Sequence, residues 1–249
     1  MTTTKPTITK TLQALLQADF ASQMKNYRSL MLTVLVPVII LIAWHKALAS
    51  QGATSLMSLA ITIGILGIGI TSYPLAIARD RDQGIFQRLR VTPTPTWAIM
   101  ASRIIIQLLL CVTTSIVVLA AGYILFNVHP SLGGIILVIL VTIVSGAMYL
   151  AVGQIVVALI KSAETINSTA RFIYAPILIV GLLGETGTLG DTIKQIVIWS
   201  PFGTVKAILD GAMNPGTWSN STWLALLITI VYAVIFAGIG IKKFQWESR

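Results

Sequence analysis

Long apolar runs alternate with short polar stretches along the whole chain, and this pattern predicts membrane-spanning helices. A helix that crosses the hydrocarbon core of a bilayer needs about 20 mostly apolar residues. Runs of that kind predict six transmembrane helices, over residues 29–48, 55–78, 98–126, 132–160, 168–186 and 222–241. The fifth run is the least continuous, because glycines interrupt its far end from Gly181 to Gly190. With no internal repeat and no linker, the sequence predicts one all-α membrane domain over residues 1–249.

The stretch before the first predicted span, residues 7–28, has a different pattern. Apolar residues recur there at steps of three and four, from Ile8 to Tyr27, with Gln, Lys and Asp between them. That spacing predicts an amphipathic helix, and its polar content favours an interfacial position along the inner membrane surface over a crossing. A helix packed on a soluble partner would have the same periodicity, so this alternative stays open.

Residues 185–221, between the fifth and sixth predicted spans, form a long connection. Two short apolar helical patterns lie within it and are interrupted at Ser200 and Pro201. Neither piece reaches the length of a span, so we predict short interfacial or re-entrant helices on the outer side of the membrane. Trp199, Trp218 and Trp223 are then expected at the level of the lipid headgroups.

The composition supports a membrane protein, and the distribution of charge orients it. Of the 249 residues, 55% are hydrophobic and 10% are charged, whereas a soluble domain carries about 25% charged residues. The net charge is +9, and fourteen of the seventeen Lys and Arg residues fall on the side that holds both termini. The positive-inside rule makes that side cytoplasmic. Because the basic residues cluster at the ends of apolar runs, membrane topology explains them, and we predict no nucleic-acid partner.

The chain carries no recognisable catalytic motif. It has no G-x-x-x-x-G-K-[ST] phosphate-binding loop, so we predict that it does not hydrolyse ATP. Its single cysteine, Cys111, and its two histidines, His45 and His129, form no metal-ligand pattern. The centres of the predicted spans hold no Asp, Glu, Lys, Arg or His, although ion-coupled carriers usually need such groups there. We therefore expect no catalytic site and no metal site, and an energy source outside the bilayer.

One polar stretch has features that a loop with a purely topological role would not need. Residues 79–97, between the second and third predicted spans, read RDRDQGIFQRLRVTPTPTW, with six charged residues in the first twelve positions. Ile85, Phe86 and Leu89 predict a small apolar face on a helix that continues from the second span, and Pro93 and Pro95 end it. We predict a short, rigid coupling helix at the cytoplasmic surface. A basic loop that only fixes topology remains the alternative.

This stretch resembles the corresponding loop of ABC-type 2 transporter permeases, the six-span membrane subunits of bacterial exporters. Gly84, Leu89, Arg90, Thr92 and Pro93 match the family pattern directly. Acidic residues at positions 80 and 82 stand where the family often has glutamates, and Gln87 replaces a frequent glutamate. The segment WSPFGTVKAIL is similar to the Ser-Pro-Phe pattern that the family has before its last span. The resemblance extends over nearly the whole chain.

The resemblance implies partners, a location and a function. It implies a permease in the bacterial cell membrane, multi-pass with both termini in the cytoplasm, paired with a second permease and with two copies of a separate ATPase subunit. ATP and Mg²⁺ would be bound by that partner, and this chain would need no cofactor. We favour a homodimer over a heterodimer, and export of an amphipathic or lipophilic substrate such as a drug, antibiotic, hydrophobic peptide or lipid-linked molecule. The alternatives are an ion-coupled carrier or channel without an ATPase partner, and a non-transporting membrane enzyme or scaffold.

The resemblance also assigns candidate residues. Coupling to the ATPase would fall to Arg79, Asp80, Arg81, Asp82, Gly84, Phe86, Arg88, Leu89, Arg90 and Pro93. The candidates for lining a substrate pathway are Tyr73, Phe172 and Tyr174, and the outer-segment motif is Ser200, Pro201 and Phe202.

Small residues within the spans predict close helix packing. Ala60, Gly64 and Gly67 lie in the second predicted span, and Gly146 and Gly153 lie in the fourth. Such residues let helices approach closely, either between two permeases or within one subunit, and both interpretations stay open. Prolines at positions 37 and 176 predict kinks in the first and fifth spans.

Overall fold

The computed structural model of the protein describes residues 8–25, 27–44, 46, 52–85 and 95–243. Within these ranges the secondary structure is helical and contains no strand. In chain order the α-helices are α1 (Ile8–Lys25), α2 (Tyr27–Trp44), α3 (Ala53–Gly67), α4 (Tyr73–Asp82), α5 (Thr96–Phe126), α6 (Leu132–Leu159), α7 (Ala163–Glu185), α8 (Asp191–Trp199), α9 (Pro201–Met213) and α10 (Asn220–Lys243). A π-helical segment, Ile68–Ser72, joins α3 to α4, and a 3₁₀ turn, Pro215–Thr217, precedes α10.

Among the residues that the structure describes, five helical stretches are long and apolar enough to cross a membrane. They are Ala53–Asp82, Trp97–Phe126, Leu132–Leu159, Ala163–Glu185 and Asn220–Lys243. Two bent pairs raise the number to as many as seven: Ile8–Lys25 with Leu30–Trp44, bent by 67°, and Asp191–Trp199 with Pro201–Met213, bent by 73°. The chain is therefore a multi-pass membrane protein. The five stretches match the second to sixth predicted spans, and α2 covers most of the first, although residues 45, 47 and 48 of that prediction lie outside the described residues.

In the middle of the second span the α-helix changes to a π-helical segment. The π-helical segment Ile68–Ser72 widens the helix just before Pro74. A proline ring in an α-helix clashes with the carbonyl four residues earlier, here that of Ile70, and removes one backbone hydrogen bond. The wider π turn relieves this conflict, so the helix continues to Asp82 without a break. The prediction of a uniform span over 55–78 missed this feature.

The core of the bundle surrounds the first half of the second span. Eleven consecutive residues, from Leu56 to Leu66, are buried. Helices α2, α5, α6 and α9 pack around α3 and leave it no open face. An α-helix buried on all sides is apolar all round, which is the pattern of this sequence.

The glycines of the second and fourth spans serve packing within one chain. A Cβ atom added at Gly153 would lie 2.1 Å from the backbone oxygen of Gly69, and one added at Gly64 would lie 2.8 Å from Cγ of Pro37. At Gly146 the nearest atom would be Cδ2 of Leu108, at 3.1 Å. Of the two interpretations that the sequence left open, packing within one subunit is confirmed at these three positions.

Candidate functional site

One end of the bundle collects the charged residues of the segment between the second and third spans. We call it the basic end and define it by Arg79, Arg81, Arg103, Lys161 and Arg171. The second and fourth spans end here, and the third and fifth begin here. Helix α1 also packs at this end, mainly against α5.

A cluster of charged side chains joins three helices at the basic end. Arg103 of α5 forms an ion pair with Asp80 of α4 and lies 3.9 Å from Asp19 of α1. Ser102 donates a hydrogen bond of 2.5 Å to the Asp19 carboxylate. The three charged side chains are only 10–20% exposed. Burial raises the pKa of Asp19 above its ordinary value, although the Ser102 hydrogen bond and the Arg103 charge act in the opposite direction.

A second polar contact attaches α4 to the fourth span. Arg81 donates hydrogen bonds to the backbone oxygens of Ile160 and Val157, at 3.1 and 3.2 Å. The last carbonyl groups of an α-helix have no partner within the helix, and a basic side chain satisfies them and opposes the negative end of the helix dipole. The guanidinium of Arg81 thus closes the C-terminus of α6 and fixes α4 against it.

The structure corrects the prediction that the helix of the second span continues beyond Asp82; residues 86–94 of the predicted coupling helix lie outside the described residues. Helix α4 ends at Asp82, and Gly84 has φ +68°, a left-handed conformation that glycine adopts at little cost. The backbone N–H groups of Gln83 and Gly84 donate to the carbonyls of Arg79 and Arg81, at 2.9 and 3.0 Å. This is a helix C-cap, so the chain turns at Gly84 and does not extend α4. Ile85, the first residue of the predicted apolar face, therefore lies beyond the end of α4, whereas Phe86 and Leu89 lie outside the described residues.

The predicted coupling residues divide into four groups. Asp80 and Arg81 are held by contacts within the chain, whereas Arg79 and Asp82 are exposed. Gly84 ends the helix. The other five predicted coupling residues lie outside the described residues: Phe86, Arg88, Leu89, Arg90 and Pro93.

A cavity of about 620 Å³ opens beside the charged cluster. Its walls come from α1, α2, the π-helical segment, α4, α5 and α7. Tyr73 and Tyr174, two of the three predicted pathway residues, line it. Tyr73 is 1% exposed, and its hydroxyl donates to Gln154 at 2.5 Å. Phe172 does not line the cavity and is 83% exposed, because its position on α7 points away from the bundle.

The predicted outer-segment motif forms the junction between α8 and α9. The Ser200 hydroxyl accepts from the N–H of Gly203 at 3.3 Å and so caps α9, with Pro201 as the first helical residue. Phe202 is buried against Gly181, where an added Cβ would lie 2.6 Å from its ring. Tyr149 of α6 donates to the backbone oxygen of Pro201 at 3.0 Å. The motif thus fixes the bend between the two short helices and attaches it to the fourth and fifth spans.

Sequence reasoning missed a buried charged cluster at the opposite end of the bundle. Lys206 of α9 is 5% exposed and forms ion pairs with Glu185 at the end of α7 and with Asp210, the latter at 2.8 Å. Its Nζ atom also donates to the Ser55 hydroxyl of α3 at 2.9 Å. In the charge distribution along the sequence, Lys206 is one of the three basic residues on the side opposite the termini. The spacing of Lys206 and Asp210, four residues apart on one helix face, was the available signal.

In comparisons with known proteins, residues 10–202 match the model of the family described as "ABC-2 type transporter". The chain is also 25% identical over 181 residues to the "Probable multidrug ABC transporter permease YbhR" of Escherichia coli strain K12. The protein of the same name from Escherichia coli O157:H7 matches to the same extent. The matched region covers 70% of this chain and 48% of each relative. The chain therefore spans about half the length of the curated relatives that it matches.

Proposed function

The chain belongs to the ABC-2 type transporter family, and on that premise we propose that it is the permease subunit of an ATP-driven exporter. Members of this family are membrane components of transporters and are not themselves catalytic. In this proposal a separate ATPase subunit, present in two copies, binds ATP and Mg²⁺. A second permease, most simply another copy of this chain, completes the pathway.

We propose an amphipathic or lipophilic substrate, such as a drug, antibiotic, hydrophobic peptide or lipid-linked molecule. Two observations support this class. The middle parts of the spans carry no Asp, Glu, Lys, Arg or His, so the bundle offers little to a small ion. The curated relatives, which share 25% of the aligned residues, are named as multidrug permeases.

The orientation in this proposal follows from charge. The basic end would face the cytoplasm of a bacterial cell, as the positive-inside rule requires. Helix α2 would then cross the membrane as the first of six spans. Helix α1 would lie at the inner surface, and α8 and α9 would form a re-entrant or interfacial pair at the outer surface.

The observation that carries the proposal is the set of polar contacts at the basic end. Asp80 pairs with Arg103 of the third span, which also lies 3.9 Å from Asp19 of α1, and Arg81 bonds to the end of the fourth span. A push on residues 83–95 by a partner would therefore reach several helices at once. Movement of rigid elements about such contacts is a common way to transmit a conformational change. We infer that Arg88, Arg90 and their neighbours supply the surface that the ATPase contacts.

The decisive experiment measures coupling in the assembled transporter. The chain is reconstituted in lipid nanodiscs with its ATPase subunit, and ATP hydrolysis is recorded with and without substrate. The variant Arg88→Glu/Arg90→Glu should abolish substrate stimulation while leaving membrane insertion intact, because the charges fix the register of the two subunits. The matched control, Lys242→Glu/Lys243→Glu, makes the same charge change at the end of α10 and should keep stimulation. Normal coupling in the first variant would contradict the proposal.

The ion-coupled carrier remains a second candidate because of the Lys206 cluster. The buried Lys206 pairs with two carboxylates, and an ion or a proton could take its place beside them. The two functions respond differently to the energy source. Transport by an ATP-driven exporter should survive collapse of the ion gradients by ionophores and stop on depletion of ATP, whereas an ion-coupled carrier should show the reverse.

A further inference from the structure

The cavity at the basic end has the size and the walls of a binding site. Its volume of about 620 Å³ lies within the range of ligand pockets in proteins, roughly 300–1,000 Å³. Apolar side chains from α1, α2, α4 and α5 contribute to its walls: Leu15, Leu30, Leu75, Ile77 and Ile106.

Gln107 lines the cavity, and its Oε1 atom has no hydrogen-bond partner within the described part of the chain. It is 5% exposed, and its Oε1 atom is buried without a hydrogen bond. Leaving a buried amide unpaired is unfavourable, so such a group calls for a hydrogen-bonding occupant. Gln107 lies four residues beyond Arg103 on α5, which places it about 6 Å further along the helix.

The charges that line the cavity are unbalanced. Asp19 and Asp80 are both engaged by Arg103, and Ser102 also donates to Asp19. Arg79 and Arg171 line the cavity as well, and within the described residues neither pairs with a carboxylate. Three guanidinium groups therefore face two carboxylates, which leaves a net charge of +1, and the two arginines without a carboxylate partner stand on different helices, α4 and α7.

We propose that this cavity binds an amphiphile with an anionic head group. The head pairs with Arg79 and Arg171, since guanidinium groups bind phosphate and carboxylate oxygens with charge-assisted hydrogen bonds. A hydroxyl or carbonyl group bonds to the Gln107 amide, which can both accept and donate. The tail runs along the apolar side chains of Leu30 and Ile106. The ligand is either an acidic lipid of the membrane or a diffusible acidic amphiphile.

Native mass spectrometry of the purified chain in a neutral detergent tests this site, with lysophosphatidic acid and lysophosphatidylcholine as probes. The two probes share one acyl chain and one hydroxyl and differ in the charge of the head. The acidic probe should bind about tenfold tighter, the factor expected for one charge-assisted contact. In Arg79→Gln/Arg171→Gln this preference should disappear, whereas the control Lys161→Gln/Lys243→Gln, at exposed positions outside the cavity, should keep it. Equal binding of both probes by the unmodified chain, or an unchanged preference in the arginine variant, would overturn the proposal.

A second variant tests the Gln107 contact separately. Gln107→Leu should weaken both probes by a similar factor, about tenfold, while the preference for the acidic head stays, because only the shared hydroxyl loses its partner. Unchanged binding in this variant would show that the amide takes no part. Spectra taken before any probe is added identify the source. A retained acidic phospholipid points to the membrane, and an empty site that fills with the probe points to a diffusible amphiphile. None of these measurements involves the ATPase, so their failure leaves the proposed transport function standing.

Discussion

At the scale of single residues, the charged side chains of this protein work mainly inside the chain. Asp80 and Arg81 belong to a stretch whose density of charge suggested contact with a partner, yet both are held by the third and fourth spans. The exposed residues of the stretch, Arg79 and Asp82, stay available for contact with a partner. A charge-rich motif therefore mixes residues that build its support with residues that face outward, and sequence spacing alone does not separate them.

The Lys206 cluster gives a residue-scale prediction. Replacing Lys206 by methionine leaves the partly exposed carboxylates of Glu185 and Asp210 close together without a counter-charge. Removing one partner of a fully buried ion pair costs about 3–5 kcal/mol, and the cost here is lower because these carboxylates are 27% and 35% exposed to solvent. We expect a marked fall in the midpoint of thermal unfolding of Lys206→Met, measured in detergent.

Two further variants check the cause. Lys194→Met, at an exposed lysine of α8, should leave the midpoint nearly unchanged. Adding Glu185→Gln and Asp210→Asn to Lys206→Met should restore part of the lost stability, because the uncompensated charges are then gone. A triple variant no more stable than the single one would mean that the lost packing of the lysine stem matters more than charge.

At the scale of elements, the second span depends on its close contact with the fourth. The backbone of the π-helical segment approaches α6 at Gly69 and Gly153, where neither residue has a side chain to separate the helices. Tyr149 packs directly over Gly69: a Cβ atom added at Gly69 would lie 2.5 Å from the Cβ atom of Tyr149. The π-helical turn and the close contact between Gly69 and Gly153 thus occur at the same level of the bundle.

Gly153→Ala tests that contact. The new methyl group would lie 2.1 Å from the Gly69 oxygen, so the helices must move apart. Overpacking of this kind costs about 1–3 kcal/mol, and we expect a lower thermal midpoint. Gly238→Ala is the matched control, because no atom lies within 4 Å of the added group. Alanine favours a helix over glycine by about 0.5–1 kcal/mol, so this variant should be as stable as the original or slightly more so.

The helix end at Gly84 gives a second prediction at this scale. A β-branched residue is strained at φ +68°, and the left-handed conformation costs most residues roughly 1–2 kcal/mol. Asparagine tolerates it better. We expect Gly84→Val to lower the stimulation of the ATPase, because the chain would leave α4 in another direction, and Gly84→Asn to keep most of it. Equal losses in both variants would mean that the turn geometry is not what matters.

At the scale of the whole molecule, hydropathy predicted the helices well and the polar contacts poorly. The predicted run of 132–160 and the observed Leu132–Leu159 differ by one residue, because a 20-residue apolar stretch has few alternatives in a membrane. The contacts between Asp19 and Arg103, or Glu185 and Lys206, join residues far apart in the chain, and no local pattern encodes such pairs. The π-helical segment had a local signal, Pro74 within a span, but hydropathy does not register it.

Orientation can be measured on the whole molecule with single cysteines, since the one native cysteine, Cys111, is buried. In the Cys111→Ala background, Asn214→Cys and Lys161→Cys place exposed thiols at opposite ends of the bundle. A membrane-impermeant maleimide should label position 214 in intact cells and position 161 only after permeabilisation. Labelling in the reverse order would invert the orientation that charge predicts.

The enclosure of Leu56 to Leu66 by its own chain has a consequence for the dynamics of the fold. These residues meet neither lipid nor a partner, so neither environment is needed to shield their backbone. Amide deuterium exchange in detergent should therefore be slowest over this stretch and should change little when the chain assembles with other subunits. The outward surfaces of the first, fifth and sixth spans are where assembly would alter the exchange rate.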